Sequence, residues 1–246
     1  MAIVAVSARE RPDLAERARE FEGVWPEYNM HAPVTNRYWQ RLYEDFPAFQ
    51  FVLYDDETDV VLAEGQTIPF VWDGTPEGLP DGLDGLLEDV FEGPAGEPTA
   101  LSALAAEIPP EHQSRGLSGR LLEEMAAVAR EHGLADLVAP LRPSWKERYP
   151  LTPIEDYVGW MREDGLPLDP WLRVHVRMGA EALRPEPRSL RIEGTVAEWE
   201  EWVGLAFPQS GDYVFPRGLA TVAIDRDADR GLYFEPNVWV RHRVAA

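Results

Sequence analysis

Apolar and polar positions change period several times along this chain, and each change marks an element. Ile3 to Val6 is a short apolar strand candidate. Pro12 to Phe21 follows with Leu14, Ala18 and Phe21 on one side of a helical period. The spacing predicts a second helix over Thr35 to Phe46, with Tyr38, Leu42 and Tyr43 on its aromatic-rich face. Phe49 to Tyr54 and Val60 to Trp72 are predicted strands, joined by a polar hairpin turn from Asp55 to Asp59. Ala100 to Ile108 is an apolar strand, Leu117 to His132 a strong amphipathic helix and Leu134 to Leu141 a further strand. Strand, tight loop, helix and strand in that order imply a right-handed crossover with locally parallel pairing.

Beyond this unit the pattern predicts helices over Pro153 to Arg162 and Pro170 to Met178. Leu190 to Glu193 is a short strand candidate, and Val196 to Val203 a short helix carrying Trp199 and Trp202. Leu219 to Ile224 and Leu232 to Val240 are strands joined by an acidic turn. No internal repeat is present. The expected fold class is α/β in the broad sense: an α+β mixed sheet with antiparallel strands at both ends, in a single domain over residues 1–246. Two segments interrupt the pattern. Residues 73–98 turn to Gly, Pro, Asp and Glu, which predicts a surface insertion with one helix over Leu83 to Phe91; a lid is the alternative. Residues 142–168 form an extended connection.

Composition narrows the function classes. Hydrophobic residues make up 45% and charged residues 27%, ordinary globular usage that argues against disorder. No run of about 18 apolar residues exists, which excludes a membrane-spanning helix. The first residues lack the basic lead of a signal peptide. With no cysteine there is no disulfide, thiolate metal site or cysteine nucleophile. The expectation is a cytoplasmic protein. Its formal charge of −21 repels phosphate backbones, so no nucleic acid is expected as a partner, and no membrane. Lys146 is the only lysine.

The chemistry concentrates in the stretch from Glu107 to Leu122. It begins at the end of an apolar strand and runs through Ile108-Pro109-Pro110-Glu111 into Gln113-Ser114-Arg115-Gly116-Leu117-Ser118-Gly119 and a helix. Gly116, Ser118 and Gly119 keep the turn small, so backbone N–H groups can approach a ligand. At a helix N-terminus those groups point outward and the dipole favours an anion, which suits a pyrophosphate. Arg115 and Arg120 add positive charge in a chain otherwise acidic. The plainer alternative is an ordinary strand-to-helix connection.

Gln113-x-x-Gly116-x-Ser118, after a strand ending Ile108-Pro109-Pro110-Glu111, resembles the acyl-CoA signature of the GNAT acyltransferase superfamily, with Ser118 departing from the last small residue. The resemblance implies a GNAT-like sheet of about seven strands with a splayed central pair. It also implies acetyl-CoA or another acyl-CoA as co-substrate, with no metal. The Ile108 backbone would then hold the pantetheine arm. Gln113, Ser114, Arg115, Gly116, Leu117, Ser118 and Gly119 would form the diphosphate cradle. The implied reaction is direct transfer of an acyl group, most often acetyl, to a primary amine of a small molecule. The alternatives are a CoA-binding sensor or scaffold without catalysis, and a longer-chain N-acyltransferase. A homodimer is left open.

Amine acylation needs a base for the acceptor and an acid for the leaving thiolate. Glu107, at the strand end with Ala105 and Ala103 on the same face, is the base candidate; a rim carboxylate facing water is the alternative. The family often places a tyrosine acid four residues before a Gly-Phe pair. Gly179-Ala180 resembles that pair with the aromatic replaced, and counting back gives His175. Tyr149, or Tyr157, in the long connection is the other acid candidate. Trp25, Tyr28, Tyr38 and Trp39 wall an acceptor pocket or pack a core. Asp225-x-Asp227-x-Asp229-x-Gly231 lacks the sixth-position glycine and final glutamate of a calcium loop and reads as a hairpin turn. The five histidines are too scattered for a metal pair.

Overall fold

Alternation of apolar residues is resolved into one continuous sheet of nine strands in the computed structural model, which describes residues 2–244. The chain runs β1 (Ile3–Ser7), α1 (Pro12–Ala18), α2 (Pro33–Asp45), β2 (Gln50–Asp55), β3 (Val61–Phe70), α3 (Gly82–Glu92) and β4 (Ala100–Glu107). It continues through α4 (Leu117–Glu131), β5 (Asp136–Leu141), α5 (Ile154–Tyr157), α6 (Pro170–Arg177) and β6 (Glu181–Gly194). It ends with α7 (Val196–Val203), β7 (Gly211–Tyr213), β8 (Val222–Asp225) and β9 (Arg230–Arg243). The sheet order is β1-β2-β3-β4-β5-β9-β8-β7, with β6 also paired to β9. β4 and β5 are parallel and every other pair is antiparallel.

The β4–β5 pair opens. Its register covers only Ala100 to Ser102 against Asp136 to Val138. Just past that point the β3–β4 ladder carries a bulge: Thr67 faces Ala103 and Gln66 faces Ala105, which leaves Leu104 unopposed. A bulge bends its strand and increases its twist. β4 is thereby turned from β5, which stays paired to β9 through Leu141. The two facing edges beyond Ser102 and Val138 have no strand between them.

Helices cover both faces. α4 buries Leu117, Leu121, Leu122, Met125 and Ala129, a helical stripe that packs with Leu101, Leu137 and Ala139. On the opposite face, Leu14 and Ala18 of α1 meet Val52 and Val61, while Tyr38 and Leu42 of α2 meet Ile68 and Phe70. β3 is therefore buried along its whole length. A third, aromatic core of Tyr28, Trp199, Phe207, Phe215 and Tyr233 sits under the C-terminal strands.

Three expectations change. The sheet has nine strands, not about seven, because β7 and β8 extend it past β9. The helix expected within the Gly/Pro-rich segment 73–98 is α3, whose Leu86 and Leu87 are fully buried and whose Leu83 N–H donates to Ser189 Oγ at 2.9 Å, while residues 93–98 stay exposed. Gly82, at φ +73°, allows this approach, since a Cβ there would lie 2.2 Å from the Ser189 backbone. The helix expected over Pro153 to Arg162 shrinks to the single turn α5. The strand expected at Leu190 to Glu193 is the 14-residue β6, kept in the sheet past Pro185 and Pro187 by a register shift between Glu186 and Leu190.

Candidate active site

The open end of the β4–β5 splay is a cleft of about 510 Å³, bounded by the turn before α4, by α4 itself and by α6. Ile108, Gln113, Ser114, Gly116, Leu117 and Ser118 line it. Of the residues the motif singled out, Arg115 and Gly119 lie outside this lining. Ser114 has φ 61° and Gly116 φ 76°, with Arg115 between them at negative φ. This alternation turns successive N–H groups to one side, as in an anion-binding nest, immediately before the α4 N-terminus. Gly116 is the α4 N-cap and offers no side-chain oxygen, so the first-turn N–H groups are left for a ligand. A Cβ on Gly116 would meet nothing within 4 Å: the space beside it is open. The Gln113 side chain donates to the Ile108 carbonyl at 3.1 Å, so that carbonyl is already engaged.

Glu107 ends β4 on the face covered by α1 and α2. Trp25, which lines the cleft, donates its indole N–H to Glu107 Oε1 at 2.7 Å. Burial raises the Glu107 pKa, and the Trp25 bond partly opposes that rise. Across the ladder Glu107 faces Glu64 of β3. Glu64 is 1% exposed and accepts from the Tyr43 hydroxyl at 2.7 Å. Burial pushes its pKa up to about 8; the Tyr43 bond opposes this and the Glu107 charge adds to it.

Arg142 closes the other wall, one residue past β5. Its Nε donates to Glu235 Oε1 at 2.9 Å, and its Nη2 donates to the Tyr28 hydroxyl at 3.1 Å and the Arg217 carbonyl at 3.0 Å. Burial works most strongly against its charge, but Glu235, Tyr28 and Tyr233 together outweigh burial and keep it protonated. Among the described residues nothing accepts from Nη1. The cleft wall thus carries a fixed cation pinned from behind.

His175 also lines the cleft, from α6. Its Nδ1 lies 2.9 Å from Nε2 of His242 on β9, and its Nε2 is buried without a partner among the described residues. Burial lowers the His242 pKa, and the Met178 backbone opposes that shift. Burial, followed by the neighbouring His242, drives the His175 pKa down to about 3.

Tyr149 is not in the cleft lining. It packs against Tyr157 and Trp160, and the Tyr157 hydroxyl is bound to Asp169 at 2.8 Å. Asp169 was not apparent from the sequence, yet it organises this region. Its carboxylate caps α6 through the N–H groups of Trp171 and Leu172 and also receives the Trp145 N–H. It thereby fixes both the 142–168 connection and the helix that carries His175. Of the four aromatic residues expected together, Trp25 lines the cleft, Tyr28 joins the C-terminal core, and Tyr38 and Trp39 pack in the cluster that also holds α3. Arg142 and Glu64 were also missed. A lone charge directly after the apolar strand 134–141 was the available signal for Arg142. No group of three or more potential metal ligands is gathered among the described residues, and no described helix is long and apolar enough to cross a membrane.

No family model matches the sequence. The chain is similar to the arginine N-acetyltransferase avaD of Aspergillus versicolor, 31% identical over 272 residues that cover 97% of this chain and 93% of that protein. Among solved structures it is similar to the loading GNATL domain of CurA from Lyngbya majuscula, at TM-score 0.60 and 19% identity over 99% of this chain and 98% of that one. It is also similar to the GphF GNAT-like decarboxylase in complex with isobutyryl-CoA, at TM-score 0.58 and 19% identity over the full length of both. These structural likenesses establish the fold, and the relative, matched over nearly its whole length, establishes the family. A splayed parallel pair, a glycine-opened turn at the α4 N-terminus and a nearly full-length N-acetyltransferase relative place this chain in the GNAT superfamily of N-acetyltransferases.

Proposed function

We propose that the protein transfers an acyl group, acetyl in the first instance, from acyl-CoA to a nitrogen of a small-molecule acceptor by direct attack. The observation that carries this reading is the opening of β4 from β5 onto the Ser114–Gly116 turn. A pantetheine arm fits there as an added strand, and the α4 amides meet a diphosphate. That the related avaD is named for arginine supports a small nitrogenous acceptor.

Glu107 acts as base from the acceptor side. Its Oε1 is oriented by Trp25, and its Oε2, with no partner among the described residues, is free to take a proton. A new N–C bond forms as the C–S bond breaks, and the departing sulfur takes a proton released by the nitrogen. No separate acid is then required of His175 or Tyr149. The residues 1–246 act as one domain, since splay, turn and both walls belong to the same sheet.

The test is thiol release from acetyl-CoA with a panel of amines and guanidines. Acceptor-dependent release is expected. Calorimetric binding of acetyl-CoA without turnover on any acceptor would instead favour a non-catalytic CoA sensor. Equal thermal shifts with acetyl-, hexanoyl- and palmitoyl-CoA would argue against a longer-chain role.

A further inference from the structure

The chain carries 44 acidic residues, yet none of them lines the cleft, and Arg142 is the one arginine or lysine that does. A cavity kept free of anions in so acidic a chain suits an anionic ligand. The turn at Ser114 and Gly116 accounts for a diphosphate, but no bond of Arg142 leads to that turn. Its guanidinium is tied to Glu235, Tyr28 and the Arg217 carbonyl, and the Arg217 side chain donates to the Val24 carbonyl at 3.4 Å. The next residue is Trp25, the donor to Glu107. The short segment 24–28 thus holds Glu107 through Trp25 and Arg142 through Tyr28. The fixed cation stands with the base, on the reacting side of the cleft.

A guanidinium has five N–H donors in one plane. In Arg142 the Nε donor and both Nη2 donors are used, and both donors on Nη1 are left. Nη1 is not among the buried atoms that lack a partner, and the side chain keeps 18% of its surface, so this nitrogen opens to the cleft. Glu235 behind it does not cancel its charge. The Glu235 carboxylate also receives Tyr28 at 3.2 Å, Asn29 at 3.3 Å and Tyr233 at 3.3 Å. Three neutral donors share that negative charge, which leaves the guanidinium positive towards the cavity. With no second cation beside it, the site matches a singly charged carboxylate better than a phosphate dianion.

We propose that Arg142 is a specificity determinant whose Nη1 binds a carboxylate carried by one of the two substrates, the acyl donor or the acceptor. This rests on the acyl-transfer reading above.

Calorimetry with matched pairs tests it. Malonyl-CoA differs from acetyl-CoA by a carboxylate on the acyl group. Ornithine differs from putrescine by a carboxylate on the acceptor, and both are titrated into protein loaded with CoA. The carboxylated member of one pair is expected to bind about tenfold or more tighter, and that pair identifies the source. For ornithine the preference runs against the net charge of −21, which by itself favours the dication. Arg142→Gln combined with Glu235→Gln removes both charges together, leaves neither buried alone and should abolish the preference. Glu235→Gln alone should keep or enlarge it, whereas a purely structural ion pair would give the same result in both variants. Thermal unfolding and acetyl-CoA affinity report that the variants are folded. No preference in either pair, or one that survives in the double variant, would overturn the proposal. Thiol release on the same pairs reports separately on acyl transfer: preferential binding without release leaves recognition by Arg142 standing and removes the transfer reading.

Discussion

His175 and His242, 67 residues apart in sequence, share a 2.9 Å hydrogen bond between α6 and β9 at the inner end of the cleft. Both rings have lowered pKa values, His175 to about 3. The unfolded chain binds protons at these rings near pH 6.5, and the folded one does not. Over the window from about 6.5 down to 3, the unfolded state therefore gains protons that the native state refuses, and stability falls with pH. Urea midpoints measured at pH 7.5 and pH 5 should converge in His175→Gln relative to the parent protein. An unchanged pH dependence would mean that His175 is not held neutral in the folded state.

The turn before α4 makes a prediction with an internal control. Gly116 and Gly133 bracket α4 with φ values of +76° and +70°, and neither would clash through an added Cβ. Valine at either site pays about 1–2 kcal/mol for left-handed backbone. Only Gly116→Val obstructs the amides facing the cleft. Acetyl-CoA affinity by calorimetry should drop by roughly tenfold or more in Gly116→Val and stay within about twofold in Gly133→Val. Equal losses would relocate the diphosphate site.

The Trp25 indole lowers the Glu107 pKa against a rise caused by burial. In Trp25→Phe that opposition is lost, so the Glu107 pKa climbs and the acid limb of kcat/KM moves to higher pH. Glu107→Gln should lower kcat/KM by on the order of a hundredfold and remove that limb. A pH–rate profile identical to the parent in both variants would show that another group takes the proton.

Local patterns gave away the elements whose information is local. The α4 stripe, the hairpin β2–β3 and the glycine-dependent turn at Gly116 each depend on spacing within a dozen residues, and each is where the sequence places it. What escaped depends on register between distant strands. Nothing near Glu64 says that a bulge at Leu104 will set it opposite Glu107. Nothing near Arg142 announces Glu235, 93 residues on. Local pattern shows only Leu190 to Glu193 of β6, because Pro185 and Pro187 lack ladder donors, and β9 carries the strand through them with a register shift. The bonds of Asp169 to Trp145 and Tyr157 form only once the 142–168 connection has folded back, so no local spacing announces them.

Lys146 is 1% exposed and locked by bonds to the carbonyls of Tyr149 at 2.8 Å and Leu219 at 2.6 Å. It is also the only ε-amine in the sequence. An enzyme that handles activated thioesters ordinarily risks decorating its own surface, because exposed lysines compete with the intended nucleophile. This surface, built on arginine, presents the reagent with no side-chain amine to consume.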